Sequence, residues 1–149
     1  QALIALEPME DKYKLLEKIN LNKITVLINI KGAFNAIFAL SINEALAKQL
    51  VKGFVIDELT PSEVEECIDD VVAESTNIIL GNSIKTFDDM EHVVNIGSPT
   101  ILCYKGASIK NIDSNMVTTE LVNGEYKLNL SIISMDNKII EEEVLWHVS

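Results

Sequence analysis

Residues 60–87 read TPSEVEECIDDVVAESTNIILGNSIKTF, and this stretch predicts one long amphipathic helix. Thr60 is a typical N-cap, Pro61 suits the first helical position, and an acidic first turn follows. Apolar and small side chains recur at the 3.6-residue period of a helix. They form a stripe that we expect to face the core, made up of Val64, Ile68, Val71, Val72, Ser75 and Ile79.

A second set of residues projects to a side of the same helix well away from that stripe, at about 100° per residue. This set, which we expect to be exposed to solvent, comprises Asp70, Glu74, Asn77, Gly81 and Lys85. Glu74 and Asn77 are three residues apart and therefore share a face. The carboxylate can bind a cation, and the neutral carboxamide can orient a water. Gly81 costs about 1 kcal/mol relative to alanine inside a helix, and its missing side chain would let another backbone come close.

The same spacing has an ordinary explanation. Acidic and amide residues on the outer face of a helix usually form a solvated surface, and Glu-x-x-Asn recurs by chance. For Asp70 and Lys85 a solvated charge is the simpler interpretation, although both could tune the docking of a partner. The residues of the helix alone therefore leave a functional and a purely structural interpretation open.

The chain before this helix predicts two strands and a shorter helix. Apolar, β-rich runs at 24–30 and 34–40 are separated by Lys31-Gly32, a plausible hairpin turn. Asn43 is the expected cap of a helix that runs to about Val51 and stops at Gly53.

After the long helix, short extended segments are expected at 93–96 and 100–104. Strands at 116–122 and 126–134 flank Asn123-Gly124, the strongest short turn motif. In the second of these strands apolar and polar residues alternate, which predicts one buried and one wet face. Antiparallel strands with interspersed helices predict an α+β domain, with long helices packed on one face of a largely antiparallel sheet.

Composition excludes several classes of function. A chain of 149 residues with 48% hydrophobic residues predicts one domain with its own core. Its net charge of −11 argues against a nucleic-acid partner, and its apolar runs are too short for a membrane helix. Cys67 and Cys103 are expected to be reduced and structural. His92 and His147 lack neighbours at metal-ligand spacing, so no metal site is predicted.

Several short motifs, taken together, resemble those of the CheX-type branch of the CheC/CheX/FliY chemotaxis phosphatases. In order they are Asp57-Glu58-Leu59, Glu74-Ser75-Thr76-Asn77, Gly81, Ile96-Gly97-Ser98-Pro99-Thr100 and Gly106. The likeness extends from Ile24 to about Met135. CheC-like members carry two Glu-x-x-Asn helices, whereas one is visible here, which favours the CheX branch.

The resemblance implies a cytoplasmic phosphatase that hydrolyses the aspartyl phosphate of a CheY-like receiver domain. In that family's chemistry Asn77 would hold the attacking water, Glu74 would pair with the receiver's lysine, and Asp70, Gly81 and Lys85 would adjoin the partner. The receiver would supply magnesium, so the chain would need no cofactor of its own.

The resemblance also implies a homodimer and one CheX-like domain over residues 1–149. Its first helix is expected to be truncated, with residues 1–6 as the remnant, and the segment after Met135 receives no role. Two alternatives remain open at this point. The chain could be a receiver-binding module without catalysis, or a regulatory or dimerisation domain cut from a larger signalling protein.

Overall fold

Two helices cover one face of a mainly antiparallel sheet in the computed structural model of the chain, which describes residues 7–8, 14–16, 18–54, 58–88, 94–103, 106–110 and 116–134. The helices are α1 (Glu44–Phe54) and α2 (Pro61–Asp88). The strands are β1 (Glu7–Pro8), β2 (Lys14–Leu16), β3 (Lys18–Asn20), β4 (Ile24–Gly32), β5 (Ala36–Ile42), β6 (Val94–Ile96), β7 (Thr100–Leu102), β8 (Ser108–Lys110), β9 (Met116–Asn123) and β10 (Tyr126–Ser134). The predicted α+β class is confirmed. In these ranges no helix is long and apolar enough to cross a membrane.

The main sheet has the order β1-β9-β10-β5-β4-β6, with β2 also beside β9 and β7 also beside β4. Strands β3 and β8 form a separate two-stranded sheet. The register places Ile28 of β4 opposite Phe38 of β5, and Phe38 opposite Ile132 of β10. Because directly opposite residues point to the same side of a sheet, these three side chains form one apolar row across its centre.

The main core lies between that face of the sheet and the two helices. Val26, Ile28 and Leu40 are at most 1% exposed, and they belong to the same apolar cluster as Val51 of α1 and Val72 of α2. The alternation of apolar residues along β4 and β5 puts every second side chain under the helices. The helices are therefore held on the sheet by burial of apolar surface from both layers.

The opposite face of the sheet is also largely buried, so the prediction of a wet face on β10 is wrong over its second half. Ser131 is only 2% exposed. Ile133 packs with Ile19 of β3 in a second apolar cluster, because the small β3–β8 sheet lies over this end. Buried hydroxyls there bond to one another, as where Thr25 Oγ1 donates to Ser41 Oγ at 2.9 Å.

The first hairpin differs from its prediction. Lys31 and Gly32 belong to β4 and do not form the turn, and β5 begins only at Ala36. The reason is a third strand: β6 pairs with β4 so that Lys31 lies opposite Asn95 and Gly32 opposite Val94. This pairing keeps both residues in the strand, which the local sequence does not reveal.

The predicted hairpin between β9 and β10 is confirmed, with its turn one residue later than expected. Asn123 ends β9 opposite Tyr126, and the two turn residues are Gly124 and Glu125. Gly124 has a φ of +58°, a left-handed conformation that glycine adopts without the steric penalty of a side chain.

Helix α1 begins where predicted but ends later. It passes through Gly53 and ends at Phe54, so the prediction that Gly53 stops the helix is wrong. Val51 is fully buried in the main core, and this tertiary contact holds the last turn despite the modest cost of a glycine, about 1 kcal/mol.

Asn43 caps α1 as predicted and also ties the helix to the far hairpin. Its Oδ1 accepts hydrogen bonds from Leu46 N at 3.1 Å and from Lys127 N at 3.2 Å. Its Nδ2 donates to the carbonyl of Glu125 at 2.6 Å. One side chain thus joins the helix start to residues more than eighty positions away.

Several predictions fall on residues outside the described ranges. These are the outer ends of two strands at Val93 and Tyr104, the helix remnant at residues 1–6, the segment after Met135, Asp57, His92 and His147.

Asn43→Ala should lower the free energy of unfolding by about 1–3 kcal/mol, because it removes the cap and leaves backbone groups of the hairpin without partners. Urea unfolding followed by circular dichroism measures this change. Asn43→Asp keeps the cap acceptor but loses the donor to Glu125, and should fall between wild type and Asn43→Ala. An alanine variant as stable as wild type would contradict the dual role of Asn43.

Candidate functional site

The start of α2 is fixed by a capping box. Thr60 Oγ1 accepts a hydrogen bond from Glu63 N at 3.2 Å, and Glu63 Oε2 accepts one from Thr60 N at 2.9 Å. The first intrahelical bond runs from Val64 N to the carbonyl of Thr60 at 3.0 Å. These reciprocal bonds satisfy backbone donors that a helix start leaves free, and they confirm the predicted start.

The sheet-facing side of α2 consists of the predicted stripe and two further residues, Thr76 and Leu80. Of the predicted residues, all but Ile79 are buried, and Ile79 is partly buried against the core. The structure adds Thr76, which is fully buried, and Leu80, which is 3% exposed. Thr76 Oγ1 donates to the carbonyl of Val72 at 2.7 Å, so its hydroxyl is satisfied within the helix.

Burial of the two inner residues of the Glu-x-x-Asn motif fixes the direction of the outer two. Ser75 and Thr76 are 8% and 0% exposed, and they face the core. Because successive residues on a helix are about 100° apart, this rotation turns Glu74 and Asn77 away from the sheet. The motif is thus presented by a helix that packing prevents from rotating.

The structure places all five predicted site residues on that outward side. Asp70, Glu74 and Lys85 are exposed, whereas Asn77 and Gly81 are partly buried. In the part of the chain that the structure describes, no hydrogen bond or ion pair engages the side chains of Glu74 and Asn77. Both groups are therefore available to an incoming molecule, with one free carboxylate beside one free carboxamide.

Gly81 leaves open space on this side of the helix. Among the described residues, no atom of another element lies within 4 Å of a Cβ built at Gly81. Its own fold therefore gives no packing reason for a glycine at this position, although a glycine inside a helix is unfavourable.

Ile78 is a residue of this surface that the sequence analysis did not identify. It lies four residues after Glu74 and is 45% exposed. At about 100° per residue, position 78 projects about 40° from Glu74 and about 20° from Val71, so it lies at the border between the polar residues and the core stripe. Periodicity alone assigns Ile78 to the edge of the core stripe, and its exposure in the structure is what marks it as part of this surface.

The two cysteines and the acidic residues give no second site. Cys67 and Cys103 are free thiols, and Cys103 Sγ donates to Asp69 Oδ1 at 3.6 Å. Partial desolvation and the carboxylate of Asp69 raise the pKa of the Cys103 thiol, which disfavours the nucleophilic thiolate. The described ranges contain no group of three or more His, Cys, Asp or Glu residues that could hold a metal ion.

Comparison with known proteins identifies one family. Residues 24–121 match the family described as Chemotaxis phosphatase CheX. A comparison with curated proteins finds no significant match.

Solved structures with the same fold include several chemotaxis proteins. CheX from Desulfovibrio desulfuricans is 15% identical with a TM-score of 0.73, and 87% of each chain is covered. CheX from Vibrio vulnificus is 18% identical with a TM-score of 0.74, over 87% of this chain and 85% of that one. A CheX–CheY–BeF₃–Mg²⁺ complex from Borrelia burgdorferi matches with 16% identity and a TM-score of 0.64, over 83% and 84% of the two chains.

Gly81→Ala should raise the free energy of unfolding by about 1 kcal/mol, because alanine favours the helix and its Cβ meets no neighbouring atom. Thermal or urea unfolding measures the gain. Gly124→Ala is the matched control, since its positive φ should make that variant less stable than wild type. Destabilisation by Gly81→Ala would show that the space beside Gly81 is not open.

Proposed function

The chain belongs to the CheX family of chemotaxis phosphatases, and from this premise we propose that it hydrolyses the aspartyl phosphate of a CheY-like receiver domain with Glu74 and Asn77. The observation that carries the proposal is the pair itself. An exposed carboxylate and a partly buried carboxamide, both without partners among the described residues, face outward on a helix that its buried face holds in place. Such a surface can enter the active site of another protein.

Asn77 has the chemistry needed to position water. Its carboxamide oxygen accepts a hydrogen bond from the attacking water, and its nitrogen can donate to a phosphoryl oxygen. The water oxygen forms a bond to phosphorus as the bond between phosphorus and the aspartyl oxygen breaks. The aspartate leaves as a carboxylate, and the water's proton passes to the phosphate product or to solvent. An amide does not act as a base here, and its effect comes from alignment of the nucleophile.

Glu74 serves to bind and orient the receiver in this proposal. Its carboxylate would pair with the active-site lysine beside a receiver's phosphoaspartate, in a charge-assisted hydrogen bond that desolvation strengthens. This contact would fix the register that brings Asn77 to the phosphorus. The net charge of −11 would also favour a basic contact region on the partner.

The remaining predicted site residues border this pair. We assign Gly81 the role of admitting the receiver's backbone close to the helix, which accounts for a glycine that the chain's own packing does not require. Asp70 and Lys85, both exposed, would adjust docking through their charges. Surface charges of this kind act mainly on the association rate.

Magnesium belongs to the receiver in this mechanism, and the chain needs no cofactor of its own. The related complex from Borrelia burgdorferi contains CheY, BeF₃ and Mg²⁺, which supports a receiver that brings its own ion. The ion would neutralise charge on the phosphoryl oxygens.

We also propose a single CheX-like domain, a homodimer and a cytoplasmic location. Strands β6 and β7 pair only with β4 among the described strands, so an outer edge of the sheet is available for a second copy. Light scattering tests the dimer, which requires a mass near twice 16.5 kDa.

Asn77→Ala should slow catalysed dephosphorylation by about 10²–10³, the usual effect of deleting one positioned hydrogen-bonding group. The measurement is the decay of a phosphorylated CheY-like receiver with magnesium present. Asn82→Ala removes the same group from an exposed position further along α2 that faces a different direction, and it should leave the rate unchanged.

Two results would count against catalysis by Asn77. If wild type and Asn77→Ala accelerate decay equally, Asn77 is not the group that positions water. If neither accelerates decay although both bind the receiver, the domain is a docking module and the motif serves recognition only.

Glu74→Ala should weaken the complex with the receiver by about 1.5–3 kcal/mol, the range for a hydrogen bond to a charged group. Titration calorimetry with the receiver charged by beryllofluoride and magnesium measures this loss without turnover. Glu74→Gln keeps the shape of the side chain and removes its charge. Its complex with the receiver should be nearly as weak as that of Glu74→Ala, and the affinity should depend less on salt concentration than that of wild type. Glu65→Ala, exposed on another side of α2, is the control, and equal affinity of Glu74→Ala and wild type would remove the assigned role.

A further inference from the structure

Ile78 is a large apolar side chain on the outward side of α2, and the chain's own core does not use it. It is 45% exposed, while the neighbouring Ile79 and Leu80 pack against the core. An isoleucine is also a poorer helix former than lysine or glutamate. The fold of this chain therefore gains little from an apolar residue at position 78.

Singly exposed apolar residues are common on protein surfaces, so the position of Ile78 carries the inference. It lies four residues after Glu74 and three before Gly81, and residues at these spacings are neighbours on a helix surface. Four residues correspond to about 6 Å along the helix axis. At Gly81 the space is open to at least 4 Å from the position of a Cβ. Ile78 thus lies between the carboxylate of Glu74 and an open stretch of helix surface.

We propose that Ile78 is an affinity- and specificity-determining residue, which packs against apolar side chains of the receiver beside its phosphorylated aspartate. This rests on the proposed function, because a receiver that brings its active site to both Glu74 and Asn77 also covers the residue between them and Gly81. The occupant of this surface is therefore the receiver domain itself. Its complementary surface must present an apolar side chain next to the lysine that meets Glu74.

The division of roles follows from the chemistry of the three groups. Glu74 and Asn77 must lose water to act, so desolvation offsets part of the free energy of their hydrogen bonds to the receiver. Apolar surface is favourable to bury and has no such desolvation penalty. Ile78 would thus add affinity beside the polar pair, which sets the register of the receiver on the helix.

The test uses three variants of Ile78 that separate the size of the side chain from its polarity. Ile78→Ala removes the apolar volume, Ile78→Gln keeps length and adds polarity, and Ile78→Leu keeps the apolar volume. The probe is a CheY-type receiver charged with beryllofluoride and magnesium, and titration calorimetry measures Kd. Ile78→Ala should raise Kd by about tenfold, Ile78→Gln by at least as much, and Ile78→Leu by less than about threefold.

Two further measurements separate this role from a structural one. The rate of receiver dephosphorylation at saturating receiver should stay within about twofold of wild type for all three variants, because Ile78 is assigned to binding and not to alignment of water. The midpoint of thermal unfolding should shift by less than about 2 °C, as for an exposed residue. Phe54→Ala truncates another exposed apolar side chain, 46% exposed at the end of α1, and should leave Kd unchanged.

The outcomes distinguish this inference from the proposed function. Suppose that wild type accelerates dephosphorylation but Ile78→Gln changes neither Kd nor the receiver concentration that gives half the maximal rate. The role of Ile78 is then overturned and the phosphatase assignment stands. If wild type binds without hydrolysis and Ile78→Gln weakens binding, the docking role is supported and the catalytic proposal fails. If wild type does not bind charged receivers, both are overturned.

Discussion

The buried face of α2 is the constraint on which the candidate site depends. Val64, Ile68 and Val72 pack against the sheet, and Thr76 is also buried. Only one orientation of the helix about its axis keeps all four side chains in the core. A turn of about 100° would expose the core stripe and bury charged groups, at a cost of several kcal/mol. The direction of Glu74 and Asn77 is therefore set by residues that never touch a partner, and the capping box at Thr60 fixes where this register begins.

The sheet supplies the rigid surface against which α2 is held. Its central strands carry apolar residues on both faces, with Ile28 and Phe38 under the helices and Ile133 on the other side. A strand covered on both faces cannot slip by one residue without moving every side chain to the wrong side. The hydroxyls of Thr25 and Ser41 bond to each other on the second face, so the polar part of that layer also has a fixed register.

Local patterns predicted the elements that depend on nearby residues, and failed where distant strands decide. The N-cap at Thr60, the helix stripe and the outward set of α2 residues follow from spacing within one segment, and the α+β class follows from the order of such segments along the chain. Lys31-Gly32 resembles a turn, yet pairing with β6 keeps it in a strand. Ser131 resembles a solvent-facing residue, yet it is buried on the face covered by β3 and β8. Strand β6 is far in the sequence from Lys31, and strands β3 and β8 are far from Ser131. The residues next to these positions therefore do not indicate the contacts.

In the proposed reaction most of the chemistry lies on the receiver, and the exposed side of α2 shows what a helix can then contribute. A group that only aligns water does not have to gain or release a proton. It should, however, lose little conformational entropy when the receiver binds. Asn77 meets this requirement because its backbone is immobilised by the buried residues on either side, Thr76 and Leu80. The backbone of Asn77 is therefore ordered when the protein folds, and binding of the receiver does not have to order it. The same rigidity makes Ile78 and the open space at Gly81 parts of one preformed surface, and preformed surfaces bind at lower entropic cost.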